Sequence, residues 1–491
     1  MYIIMKKIKL ICLFVGLSVL NSCSLDILPD SVVSNESYWE TESDVQSAVD
    51  GIYSKMRGQL DAWKWMYWFE ARSGNIAPGF TSSGIGSYIN NQITSNLNDT
   101  NWANLYNIVS QTNAVISNID RVAFHNTTLH DELLAEAYAV RAWCYFNLVR
   151  LWGDVPLITN FVSSLDDPQL YLERSPKSTV YETIKSDIEN AEQLYISNEI
   201  KDRCKISRAA ILMLRADIYL WMYKVEEANA DYLTKAEESV DEILALPKTV
   251  LSLQGSYKNV FDKEGNTEII FSIYYDKDEN SSQYGSLLAQ SSTLVPTALR
   301  NNPIPVATSS NRMNFSKLFY DNYRNRTPGD TRVGYISSDI ESGGVNYRYT
   351  LKYMGEMNGV TRVFTTDTRI YRLAEAYLFK AEILAEQGNY PNAVEYLNDV
   401  VARAYNEKEH YPQTLAGEEF KAVLLDERMI EFAGECKSWF DLIRFGEVFN
   451  RVPALVGREN DNQGNILLLP VNDDTISRNP KIKQTPGYEK K

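Results

Sequence analysis

The chain holds few residues with which to do covalent chemistry. Its three histidines are His125, His130 and His410, and the first two lie five apart without the glutamate of an H-E-x-x-H zinc helix. Past Cys23 the cysteines are Cys144, Cys204 and Cys436, an odd and widely spaced set with no ligand-like pair. They read as small buried apolar side chains rather than a disulfide framework. Gly84-Ile85-Gly86 lacks the third glycine of a dinucleotide loop, and no G-x-x-x-x-G-K is present. Asp276-x-Asp278 could open a calcium loop, but Ser281 replaces the turn glycine and Leu287 the closing glutamate. With 64 acidic residues, carboxylate pairs carry no weight. A glycosidase needs two carboxylates at a set separation in one cleft, which spacing along a chain does not supply. The expectation is a protein that is not an enzyme and uses no metal or cofactor.

Non-covalent capture is the chemistry the composition favours. Aromatics are abundant, with 31 Tyr, 17 Phe and 9 Trp, so a minority can serve outside the core. A sugar ring has an apolar CH face and a belt of hydroxyls. It therefore asks for an aromatic platform beside planar hydrogen-bonding groups. Two regions offer that mixture. One is Trp63, Trp65 and Trp68 with Arg72, Asn75 and Tyr88; the other is Tyr274, Tyr275 and Tyr284 with Asn301, Asn302 and Arg312. Trp63 and Tyr284, among polar neighbours, are expected at the surface. Trp65 and Trp68 fit a ligand platform and a helix core equally.

The elements that must position these residues begin with a leader. Lys6, Lys7 and Lys9 precede the apolar run Leu10–Leu20, which is too short to span a hydrocarbon core of about 30 Å. Leu20-Asn21-Ser22-Cys23 ends it as a bacterial lipoprotein signal ends, with Cys23 the lipidated first residue of the mature chain. Residues 1–22 are the signal and 23–36 a polar tether, whose dozen residues reach about 40 Å when extended. Loss of the three lysines takes the net charge from −15 to −18. Such a body repels phosphate backbones and anionic leaflets alike, so nucleic acid is not expected as a partner and the membrane is held through the lipid alone.

Residues 37–250 read as a helical region. Thr41 and Asp44 form a capping box, and amphipathic stretches follow from Trp102, over His130–Leu151, and near 178–196, 207–224 and 232–246. Residues 251–368 change character, with strand-like runs (Glu268–Tyr275, Val345–Tyr353, Thr361–Thr365) between Asn, Ser, Gly and Pro-rich loops; this is the candidate ligand side. Residues 369–491 return to helices and close in a loop-rich tail. Tyr371–Gln387, the turn Gly388-Asn389-Tyr390-Pro391 and a following helix look like one tetratricopeptide repeat, with Asp399 and Arg403 as an outward i,i+4 pair. Ser207–Leu246 is a looser copy.

Several segments together resemble the SusD/RagB family of outer-membrane nutrient-uptake lipoproteins, in that family's order. They are Cys23-Ser24-Leu25-Asp26; Ala135–Ile158 with Arg141 and Trp152-Gly153-Asp154-Val155-Pro156; Ser207-Arg208-Ala209-Ala210; Asn266–Phe271; Asp330-Thr331-Arg332; and Lys352-Tyr353. Tyr371–Ala381, Glu427-Arg428 with Glu431, Trp439-Phe440-Asp441-Leu442, Leu469-Pro470 and Thr485-Pro486-Gly487-Tyr488 follow. Glu435-Cys436-Lys437 departs from the family's usual Gly and Arg. The resemblance implies a mainly α fold, with tetratricopeptide-like helix pairs supporting a loop-rich half that carries a few short strands. It also implies a lid-like lipoprotein, exposed at the outer-membrane surface, that delivers oligosaccharide to a SusC-like TonB-dependent transporter barrel. Arg141, Glu427, Arg428 and Glu431 then read as buried ion pairs rather than catalysts. The family's ligand loops vary, so the ligand residues named above rest on their chemistry alone. The alternative function is a helical-repeat scaffold of the outer membrane that binds peptide or protein through the same aromatics.

Overall fold

The computed structural model describes residues 38–489, apart from 62, 80–83, 163, 165, 280–283, 308–311 and 325–328. The signal segment, Cys23 and the tether to residue 36 lie outside the described residues.

Thr41 and Asp44 cap each other reciprocally: the Thr41 N–H donates to the Asp44 carboxylate at 2.7 Å, and the Asp44 N–H to Thr41 Oγ1 at 3.3 Å. This box opens α1 (Glu42–Asp61), which is followed by the short α2 (Lys64–Phe69). Next come α3 (Ala103–Asn118) and α4 (Thr127–Trp152). Eighteen of the 26 residues of α4 are buried, so it is covered all round rather than along the single face its sequence pattern suggests. It packs against α3 on one side and α5 (Lys177–Leu194) on another. The pair α6 (Arg208–Trp221) and α7 (Ala230–Leu244) meets across the π-helical turn Met222–Glu226.

The second helix pair is the clearest repeat. In α8 (Leu373–Glu386) and α9 (Tyr390–Tyr405), Ala374, Leu378 and Ala381 pack on Ala393, Val394, Leu397 and Val401. Pro391 sits in the first turn of α9, where its missing N–H costs nothing. Two further helices, α10 (Gly417–Glu431) and α11 (Ser438–Arg444), close the bundle. Residues from Thr41 onward form one compact unit.

Short strands pair two by two. The antiparallel pairs are β1 (Ile76–Pro78) with β5 (Met313–Phe315), β2 (Ile269–Ile273) with β10 (Thr368–Arg372), β6 (Ser338–Ser342) with β7 (Val345–Tyr349), and β8 (Glu356–Asn358) with β9 (Thr361–Val363). The parallel pair is β3 (Gln290–Ser291) with β4 (Val306–Ala307). Two of these pairings matter for the site. The β1–β5 pair, with Ile76 opposite Phe315 and Pro78 opposite Met313, sews the loop after α2 to the central region. The β2–β10 pair is wholly buried and leads straight into α8.

Buried charge fastens the elements to one another. Arg141 holds Asp187 at 2.7 Å, which ties α4 to α5. Arg428 binds Asp441 at 2.9 Å, and Arg332 binds Glu427 at 2.6 Å and Asp330 at 2.8 Å. These are the buried pairs the motif residues suggest. Arg403 differs from expectation. It does not pair outward with Asp399; it turns into the protein, 2.6 Å from Glu431 and 2.9 Å from Glu268. Two buried carboxylates without enough cations around them outweigh a surface pair worth a few tenths of a kcal/mol, roughly. Glu435, where the sequence departs from the family pattern, joins the same network through Lys352 at 2.7 Å and Arg372 at 2.9 Å.

Candidate ligand-binding site

Trp63 stands just ahead of α2. The helix that follows, Lys-Trp-Met-Tyr-Trp-Phe, buries every residue from Trp65 to Phe69, while Trp63 keeps 44% of its surface exposed. Over its ring lies the guanidinium of Arg312, 3.8 Å from the ring centre. Arg312 is placed there by its backbone. Its carbonyl accepts from Gly79 N–H at 2.8 Å, continuing the β1–β5 ladder, and its own N–H donates to Leu287 O at 3.2 Å. The Arg312 side chain also faces the Tyr67 hydroxyl, and its Nη1 is buried with no hydrogen-bond partner among the described residues.

This arrangement joins the two sequence regions that offered aromatic and planar groups. The indole supplies an apolar face, and the guanidinium stacked on it is held in one orientation at a partly exposed position. Burial pushes the Tyr67 phenol above its ordinary range, so that hydroxyl stays neutral and able to donate. Tyr67 itself is buried and braces the pair from beneath; the exposed indole edge beside the partly exposed Arg312 can stack a sugar ring and meet its hydroxyls.

Tyr274 is the other exposed aromatic of the set, with 46% of its surface in solvent. Its hydroxyl donates to Asp276 at 2.7 Å, and that bond pushes the phenol up to about 12. It lines a separate cavity of about 650 Å³ that also holds Arg57, Asp202, Cys204, Glu264 and Asp367. Burial, with Glu264 close by, raises Asp367 to about 7. Arg57 and Asp367 were not legible as cavity residues, since charge alone, without a flanking motif, marks most of the surface of an acidic protein.

The remaining candidates are core residues, and the structure corrects their reading as ligand contacts. Trp65 stacks on Trp143 with ring centres 5.2 Å apart, and Trp68 meets Trp152 edge-on while its Nε1 donates to Asp99 O at 2.8 Å. Tyr88 packs on Tyr67 with its side chain fully enclosed. Arg72 lies 4.0 Å over the Trp439 ring and donates to Asn91 Oδ1 and Ile466 O. Burial with no carboxylate beside it lowers its pKa to about 10. Asn75 is buried and donates to Ser438 Oγ at 3.3 Å. Tyr275 is buried, its N–H donating to Asp367 at 3.0 Å. Tyr284, expected at the surface, is only 2% exposed, and its hydroxyl donates to Gly434 O at 3.0 Å. The common reason is packing: a large aromatic gains more from burial with its polar tip satisfied than a polar sequence neighbourhood suggests. Asn301 instead braces the loop, its Oδ1 accepting from Arg362 Nε at 2.9 Å. Among the described residues no cluster of three or more His, Cys, Asp or Glu side chains could hold a metal ion.

The same residues fall within known families. The model of the SusD family matches residues 273–488, and a second, described as starch-binding associating with outer membrane, matches residues 24–220. A SusD-like protein of Formosa agariphila is 24% identical over 520 residues, covering 99% of this chain and 100% of its own. Another from the same organism is 26% identical over 511 residues, covering 93% and 94%. In three dimensions a SusD superfamily protein from Bacteroides fragilis superposes with a TM-score of 0.78 at 25% identity, over 92% of this chain and 100% of that one. NanU of B. fragilis also gives 0.78, at 26% identity over 94% and 100%. Both halves of the sequence match models of one group and the fold is shared over 92% of the chain: the chain belongs to the SusD/RagB family.

Proposed function

We propose that this protein captures oligosaccharide at the outer-membrane surface and passes it to a partner TonB-dependent transporter barrel. The observation that carries the reading is the Arg312 guanidinium stacked on the half-exposed Trp63 indole. That pair combines an apolar plane with a partly exposed planar guanidinium, the two kinds of group a sugar ring requires. The family model described as starch-binding associating with outer membrane supports both the ligand class and the place. Among the described residues no helix is long and apolar enough to cross a membrane, so in this reading the anchor is a lipid on Cys23. The tether leaves room for the hinged movement of a lid over the barrel.

Isothermal titration against plant, host and microbial oligosaccharides tests the capture step. Binding of at least one glycan, weakened by Trp63→Ala, is the expected result; absence of heat across the panel overturns it. Co-purification from outer membranes tests the partner. A large β-barrel should accompany the wild-type protein, and its absence refutes the transporter reading.

A further inference from the structure

A second cavity, of about 660 Å³, lies where the C-terminal end of α4 meets the π-helical turn Met222–Glu226 and the tail around 464–486. Its wall carries five cations, Arg150, Arg174, Lys177, Lys481 and Lys483, against three carboxylates, Asp154, Glu173 and Glu226. In a chain of net charge −15 this is a local reversal of sign. Two of the carboxylates are already engaged. Glu226 pairs with Lys177 at 2.5 Å, and Asp154 accepts the Lys177 backbone N–H at 2.8 Å.

Lys177 is engaged by Glu226, but the other four cations are less satisfied. Arg174 donates only to carbonyls, those of Asp154 and Trp152 at 2.7 Å and Lys483 at 3.1 Å, which leaves two of its five N–H groups free. Arg150 is sandwiched between Phe146 and Phe440 at 3.7 and 3.9 Å, and its side chain is only 8% exposed. The carboxylate it faces, Asp217, stands 3.8 Å away, and its Nε has no hydrogen-bond partner. Arg141, Arg332, Arg372, Arg428 and Arg444, by contrast, each hold a carboxylate within 3.0 Å. Lys481 and Lys483 are exposed and form no ion pair among the described residues. Between these charges the lining is apolar, with Val225, Leu467, Leu468 and Pro486.

We propose that this cavity is a second binding site, for the acidic group of a carboxylate- or sulfate-bearing saccharide. The proposal rests on reading the protein as one that captures glycans. A guanidinium recognises planar carboxylates and sulfates through paired N–H groups, and the apolar lining accepts the CH face of the ring that bears them. At physiological salt, charges beyond roughly 8 Å are screened, so the cavity's own cations outweigh the acidic body.

The test is titration of the full mature chain with tri-galacturonate, a sulfated galactose trisaccharide, the neutral methyl ester of the first, and sodium sulfate. At least one acidic trisaccharide should bind about tenfold or more tightly than the neutral ester, with affinity falling as salt rises. Lys481→Ala/Lys483→Ala, on exposed side chains, should weaken that binding about tenfold without moving the melting temperature. Arg174→Gln should weaken it further. Trp63→Ala should leave it unchanged, which separates this site from the Trp63 platform, whose own failure would show only with neutral glycans. No binding of either acidic sugar, equal binding of acid and ester, indifference to the double lysine variant, or loss on Trp63→Ala each overturns the proposal. So does sulfate binding as tightly as the sugars, which would make it a site for a free anion.

Discussion

Arg403 donates to Glu431 across 2.6 Å and so ties the second helix of the repeat, α9, to α10. The same carboxylate accepts from Arg372 at 2.7 Å and Arg332 at 3.0 Å. Three guanidiniums, from a loop helix, a strand end and a repeat helix, thus converge on one fully buried glutamate. The helical half and the loop-rich half are joined through it.

Glu431→Gln keeps the shape and removes the charge, leaving those guanidiniums with one carboxylate fewer. Breaking a buried ionic cluster from one side costs about 3–5 kcal/mol. Urea unfolding should show the unfolding free energy falling by that amount, through a lower midpoint at an unchanged slope; a midpoint equal to wild type would contradict the account.

Acid should unfold the protein through the same group. Burial opposes ionisation of Glu431, but Arg403, Arg372 and Arg332 overcome it and hold the carboxyl well below the usual carboxylate range. Glu435 and Asp441 are lowered in the same manner by their own cations. A depressed folded pKa contributes stability that is full above the unfolded value, near 4.3, and is lost as pH falls below it. Melting temperature should therefore drop steeply under about pH 4.3, and Glu431→Gln should flatten that limb. A limb as steep in the variant would place the acid sensitivity elsewhere.

Glu136 has the opposite sign. Burial raises its carboxyl to about 8, against the hydrogen bond donated by the Tyr53 hydroxyl. It is protonated in the folded state at a pH where the unfolded chain has already ionised. Stability should then decline as pH rises from about 4.5 towards 8. Glu136→Gln keeps an acceptor for Tyr53 and removes the titration, so the variant should lose this decline and match or exceed wild-type stability at pH 8. A variant that declines in parallel with the wild type would assign the slope to other groups.

Helices were legible where their pattern is local. The Thr41–Asp44 box, the Pro391 start of α9 and the buried partners implied by Arg141 and Arg428 follow from spacing and from the cost of burying lone charges. The site was legible only as two lists of residue types. Trp63 and Arg312 meet because β1 pairs with β5, and strands of three residues leave almost no periodic trace in a sequence. Arg403 shows the same limit from the other side. Its i,i+4 spacing to Asp399 is real, but the carboxylates that take it, Glu268 and Glu431, arrive from distant segments. Tyr284 fails for a related reason: its polar neighbours in sequence say nothing about Gly434 and Tyr353, which enclose it.

Removing the Trp63 ring should cost binding and little else. The residue is half exposed and lies outside α2, so Trp63→Ala should change stability by no more than about 0.5 kcal/mol. The lost stacking surface should weaken oligosaccharide binding about tenfold, or roughly 1.4 kcal/mol. Arg312→Ala should weaken it too, and the two effects should not add, because the guanidinium is oriented by the indole it covers. A coupling of about 0.5–1 kcal/mol in the double-mutant cycle is the expected size. Trp65→Ala provides the contrast. That ring is stacked in the core on Trp143, so its loss should destabilise the fold by about 3–5 kcal/mol while the protein that remains folded binds glycan as before. Additive losses at Trp63 and Arg312 would refute the coupling, whereas undiminished binding in both single variants, or a binding defect confined to Trp65→Ala, would show that the stacked pair is a structural contact and that sugar is held somewhere else.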